Sequence, residues 1–163
     1  MQKPKRYAWS ATHKLQWSYF EGFPQYNSNY AATANTGLSH SIAINRQGFY
    51  DRENSKVLAH FYPTFSWYRA SDTSATILRH EQAHFDITEI HARKLRKRIA
   101  NFTFSNQSQT EVKALYQEIE KERQLMQRVF DHDTKHSRDI KQEFIWESNI
   151  AKMLKDLAPY KAK

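Results

Sequence analysis

The chain has no cysteine, which excludes disulfides and any zinc site built on thiolates. No apolar run is long enough to span a membrane. The opening Met1-Gln2-Lys3-Pro4-Lys5 lacks the apolar stretch of a secretory leader, so no signal peptide is expected in this chain. Neither an internal repeat nor a linker divides the 163 residues, and a single domain over 1–163 is the simplest expectation. Acidic side chains are in the minority, 17 against 25 Lys and Arg, which leaves a formal charge of +8.

Aromatic residues are abundant, at 14% of the chain, and exclude a disordered polymer despite the polar average. The positive excess admits a nucleic-acid or other anionic partner. Much of it lies in the run Arg93-Lys94-Leu95-Arg96-Lys97-Arg98, late in a predicted helix, where cations suit the helix dipole. We read the run as solvated helix surface, and nucleic acid as the weaker partner.

Periodicity divides the chain into a β-rich first half and a helical second half. Short strands are expected at 7–10, 14–20 and 37–50, with turn chemistry at Asp51–Asn54. The clearest strand runs over 56–68, with Pro63 marking an edge or a bulge. Tyr26–Asn35 reads as loop. Helices are predicted over about 73–100, 109–131 and 134–157. Leu78, Phe85, Ala92 and Ile99 recur every seven residues along the first, and Ser71, Asp72 or Thr73 can cap it. The expected class is α+β, a small antiparallel sheet followed by about three long helices.

The first helix carries His80-Glu81-Gln82-Ala83-His84, an H-E-x-x-H pattern. Positions four apart on a helix differ by about 40° and rise about 6 Å, so His80 and His84 can address one Zn²⁺ ion. Glu81 is one position round, suited to act as a general base on a zinc-bound water. With 8 His and 10 Glu in the chain, chance gives about 0.02 such matches.

A catalytic zinc takes three protein ligands and leaves a position for water. His91 shares the helix face but lies about 10 Å further along the axis than His84, too far for one ion. Position 90 is Ile, and position 87 is not Gly, so the longer metzincin pattern fails. The third ligand is therefore sought in Asp131-His132-Asp133-Thr134-Lys135-His136. His136 is preferred. Asp131 follows, as an oxygen ligand or as an outer acceptor for a ligand imidazole, and His132 ranks third. Glu89 reads better as an i,i+4 partner of Arg93. His13, His40 and His60 read as ordinary polar positions, with His60 singled out because its strand can border the site.

Several segments carry a resemblance. They are Leu15–Gly22, Ala31–Gly37, Arg79–Arg96 around the H-E-x-x-H, and Asp131-x-x-Thr134-x-His136 with Trp146 behind it. Across about Trp9 to Trp146 the chain resembles a bacterial family of predicted secreted zinc-dependent proteases, zincin-like in its H-E-x-x-H and long carried as a domain of unknown function. The resemblance implies His80 and His84 as ligands, Glu81 as base, and Asp131 and His136 as their partners from the second segment. It implies export to the periplasm or beyond, and it names no substrate. The chain departs from the family pattern at His91, where Tyr is expected, and at Ser137, where Gly is expected.

The function so implied is a zinc metalloprotease, a hydrolase of peptide or protein substrates. An extended substrate could pair with the strand Val57–Tyr68. The alternative is a non-catalytic basic binding module, for nucleic acid or a protein partner, on a degenerate peptidase fold.

Overall fold

The computed structural model describes residues 5–163. The segment read above for a leader begins in residues 1–4, which lie outside the described residues. The first half supplies five strands: β1 (Tyr7–Ala8), β2 (Ala32–Thr33), β3 (Thr36–Ile44), β4 (Tyr50–Phe61) and β5 (Trp67–Tyr68). The second half is three helices: α1 (Ala75–Ala100), α2 (Ser108–Thr134) and α3 (Ile140–Asp156). The class is α+β, with the small antiparallel sheet preceding the helices.

Strand β4 is central, flanked antiparallel by β1 and β3, and β2 pairs separately with β5. Alternation positions the sheet: Leu38, Val57, Ala59 and Phe61 are buried in one cluster with Phe85, Ala92, Leu95 and Ile99 of α1. These include three of the four seven-spaced residues, and Leu78 packs against the same cluster. The other side of α1 presents Ala83, Ile87 and Ile90 to Phe130 of α2 and Ile150 of α3. Helix α1 is thus sandwiched between two apolar clusters, which explains why it is buried through most of its length.

Local chemistry moved several boundaries. Asp51–Asn54 lies inside β4, because Ser55 and a register shift near Ser41–Ala43 absorb the irregularity. The chain reverses instead at Asn45–Gly48, where Gly48 takes φ +83°. The strand expected to reach Tyr68 stops at Phe61. Pro63 begins a single 3₁₀ turn over Pro63–Phe65 before β5 resumes. Trp17–Tyr19, read as strand, is also a 3₁₀ turn, and part of the predicted loop forms β2. The N-cap of α1 is Ser74, whose side chain accepts from the Ile77 N–H. The third helix starts six residues later than predicted, at Ile140, because the chain first passes through three left-handed residues, Lys135, His136 and Ser137.

The basic run is not solvated surface. Arg96 is buried, donating to the Val57 carbonyl (2.5 and 2.9 Å), to the Tyr160 carbonyl and to Glu89. Arg93 is buried too, donating to Glu89 (2.9 Å) and to the Leu154 carbonyl (2.6 Å). Lys94 and Arg98 pair with Glu122 of α2. Two of the run's five basic residues, Arg93 and Arg96, thus form an internal clamp between the sheet, α1 and the C-terminal end, while Lys97 stays exposed.

Candidate metal centre

The residues of the H-E-x-x-H motif divide their work between folding and the site. Gln82 accepts from the Leu15 N–H (2.7 Å) and donates to Asp86, which also accepts from the Trp9 indole. Ala83 packs into the helix-facing cluster. These contacts anchor the N-terminal segment to α1 and fix the helix rotation that turns His80, Glu81 and His84 towards a cavity.

The imidazole Nε2 atoms of His80 and His84 lie 3.2 Å apart, and Asp131 Oδ1 lies 3.1 Å from the first and 2.9 Å from the second. Each ring is oriented from behind. His80 Nδ1 donates to the buried Glu143 carboxylate (2.6 Å), and His84 Nδ1 donates to Gln127 Oε1. Gln127 is itself held by donating to the His84 carbonyl (2.9 Å). With the Nδ1 protons so committed, both Nε2 lone pairs and a carboxylate oxygen face one point, an arrangement that calls for a cation. Donors at tetrahedral bond lengths around Zn²⁺ stand roughly 3.3–3.5 Å apart, within a few tenths of an ångström of this triangle. The donor set therefore fits zinc.

Protons compete for the same convergence. Burial, the largest single influence on His80, opposes its charging. Hydrogen bonds to Asp131 and Glu143 and the nearby Glu81 and Glu143 charges outweigh burial and push His80 up to about 9. Burial likewise opposes the charged form of Asp131, but the two imidazoles hold its carboxyl well below the usual carboxylate range. Glu143 Oε2 is buried with no hydrogen-bond partner, so this carboxylate is committed to His80 through one oxygen only.

Of the predicted third ligands, Asp131 joins the triangle. His136 stands at its rim, with Nδ1 3.5 Å from Asp131 Oδ1 and its ring against Tyr30 at 4.5 Å. His132 is 89% exposed and its contact is with Asp133. His91 is buried elsewhere on α1, bonded to the Ile87 carbonyl (2.8 Å). Glu89 holds Arg93 and Arg96. His60 is buried against Ser39 and does not border the cavity. Ser137, where the resemblance calls for Gly, does adopt a left-handed φ of 69°.

Glu81 borders the same cavity, of about 410 Å³. Its Oε2 accepts from the Ala34 N–H at 2.6 Å, and Oε1 has no hydrogen-bond partner among the described residues. Four stretches of chain line the cavity: residues 29–34 leading into and out of β2, the β5–α1 segment with Arg69 and Asp72, the first turns of α1, and the end of α2 with the connection that follows it.

The sequence reading missed Gln127 and Glu143. The signal for Glu143 was present. It falls on the buried stripe of α3 with Trp146, Ile150 and Met153, where a carboxylate needs a partner.

A family model described as "Bacterial protein of unknown function (DUF922)" matches residues 70–137. That span holds α1, α2 and the loop carrying His136, and leaves the sheet and α3 outside it. No curated protein and no solved structure matches the chain.

Proposed function

We propose that this protein is a zinc-dependent peptidase. The observation that carries the reading is the convergence of His80, His84 and Asp131 at the wall of an open cavity, with the carboxylate of Glu81 beside them. These three residues would hold the ion, with Glu143 and Gln127 fixing the two imidazoles. Bound zinc supplies Lewis acidity, lowering the pKa of water towards about 7 and polarising a carbonyl.

The chain's own part is proton handling and positioning. Glu81, oriented through Oε2 by the Ala34 amide, takes a proton from the attacking water at Oε1 and delivers it to the departing amine nitrogen. The peptide runs along residues 31–33. This replaces the Val57–Tyr68 strand considered above, none of whose residues lines the cavity. The rival reading, a basic surface for nucleic acid, loses its main support because Arg93 and Arg96 are buried and paired.

The deciding experiment is Glu81→Gln. The variant should retain one zinc per chain by elemental analysis and cleave peptide substrates about 10²–10⁴-fold more slowly. Hydrolysis at the wild-type rate would rule out this mechanism.

A further inference from the structure

One cation bordering the cavity has no partner among the described residues, and it bears on what enters. Two cations border it, Arg69 and Arg138. Arg69 is engaged as an ion pair, its Nε 2.7 Å from Asp72 Oδ2 but off hydrogen-bond geometry, and its Nη1 donates to the Ser28 carbonyl at 2.9 Å. Lys135, on the same connection as Arg138, pairs with Asp139 at 3.6 Å. Arg138 is exposed and has neither an ion pair nor a hydrogen bond among the described residues.

The backbone that carries it is nevertheless fixed. The connection is held at both ends, by the His136 N–H on the Asp131 carbonyl (2.9 Å) and the Asp139 N–H on the Thr134 carbonyl (2.8 Å). Asp139 then caps α3, its side chain accepting from the Gln142 N–H. Arg138 is thereby held on the same short connection as His136, just after the helix end that carries Asp131. The acidic groups of the cavity are used elsewhere: Asp72 by Arg69, Asp131 in the metal triangle, Glu81 as base. Glu143 is taken up by His80 behind the triangle, so no carboxylate of the site is left to pair with the guanidinium of Arg138. A guanidinium at the rim of a concave site is matched best by a carboxylate, which it can bind in bidentate fashion.

We propose that Arg138 selects substrates bearing a carboxylate close to the scissile bond, either an Asp or Glu side chain or the free C-terminus of the peptide. This rests on the peptidase reading above and adds the substrate class.

The test uses zinc-loaded protein and quenched fluorescent peptides that differ at one position, Glu, Gln or Lys, scanned across the scissile bond. Each peptide is made with an amidated and with a free C-terminus. Wild type should favour a carboxylate-bearing peptide about 10-fold or more in kcat/KM over its Lys counterpart. Arg138→Gln should level the preference, and Arg138→Glu should invert it towards Lys. Preference surviving amidation assigns the side chain; preference lost on amidation assigns the C-terminus. Fluorescence anisotropy with the Glu81→Gln variant should show the same ranking in binding, abolished in Glu81→Gln/Arg138→Glu. Equal cleavage and equal binding of all charge variants by the wild-type residue at 138 would overturn this inference and leave the peptidase reading standing. If no peptide is cleaved, the peptidase reading falls and this inference falls with it.

Discussion

At the scale of single residues, the centre depends on which side chain completes the triangle. Asp131 Oδ1 lies 2.9 and 3.1 Å from the two Nε2 atoms, while His136 stands outside the triangle, its Nδ1 3.5 Å from Asp131 Oδ1. Asp131→Ala should therefore abolish stoichiometric zinc, whereas His136→Ala should retain it with affinity reduced by no more than about 10–100-fold. Competition against a chromogenic chelator measures both, and the opposite ranking would make His136 the ligand. His80, Glu81 and His84 were legible because a helix makes their spacing meaningful without any knowledge of the rest of the fold. The third position was not. Asp131 and His136 are five residues apart across a helix end. Asp131 is placed by the last turns of α2, and the left-handed run at 135–137 after it sets where His136 stands. Gln127 and Glu143 were harder still, since a residue behind a ligand has no spacing rule relative to it.

Among the elements, the helices were read well because their apolar stripes are long. α1 was placed to within two residues at its start, and its seven-residue recurrence faces the sheet. The strands were read less well, because the sheet is small and its strands are interrupted. The turn signal at Asp51–Asn54 was overridden by tertiary pairing with β3, and the hairpin reverses at Gly48 instead. That glycine is required twice over. Its φ is +83°, and a Cβ there would stand 2.3 Å from the Phe104 carbonyl oxygen. Phe104 in turn donates its N–H to the Gly48 carbonyl at 2.8 Å, tying the hairpin to the α1–α2 loop. Gly48→Ala should cost at least about 2 kcal/mol in unfolding free energy, measured by denaturant titration. A change below about 0.5 kcal/mol would mean that the hairpin relaxes freely.

For the molecule as a whole, the balance between core and charge sets the response to pH. His91 is buried, and burial, reinforced by Lys94 and Arg123, pushes its pKa down to about 4 despite the Ile87 carbonyl and Glu122. The folded state thus binds fewer protons than the unfolded state between about 6.5 and 4. The stability His91 leaves intact above pH 6.5 is lost progressively as pH falls to about 4, by up to about 3 kcal/mol. His91→Gln, which keeps a donor for the Ile87 carbonyl, should flatten that loss relative to wild type in unfolding measurements at pH 7, 5.5 and 4. Identical slopes would show that His91 titrates normally. No helix among the described residues is long and apolar enough to cross a membrane.

The contact between His80 and Glu143 spans 63 positions, and it has a consequence for biosynthesis. A ribosome adding about 5–20 residues per second needs roughly 3–13 s to pass from one to the other. During that interval the emerging chain has the H-E-x-x-H helix but not the carboxylate that orients its first imidazole. Zinc captured then would meet an untethered ring. If the centre holds zinc, tight loading would therefore be a property of the nearly finished polypeptide, acquired only when α3 closes over the helix.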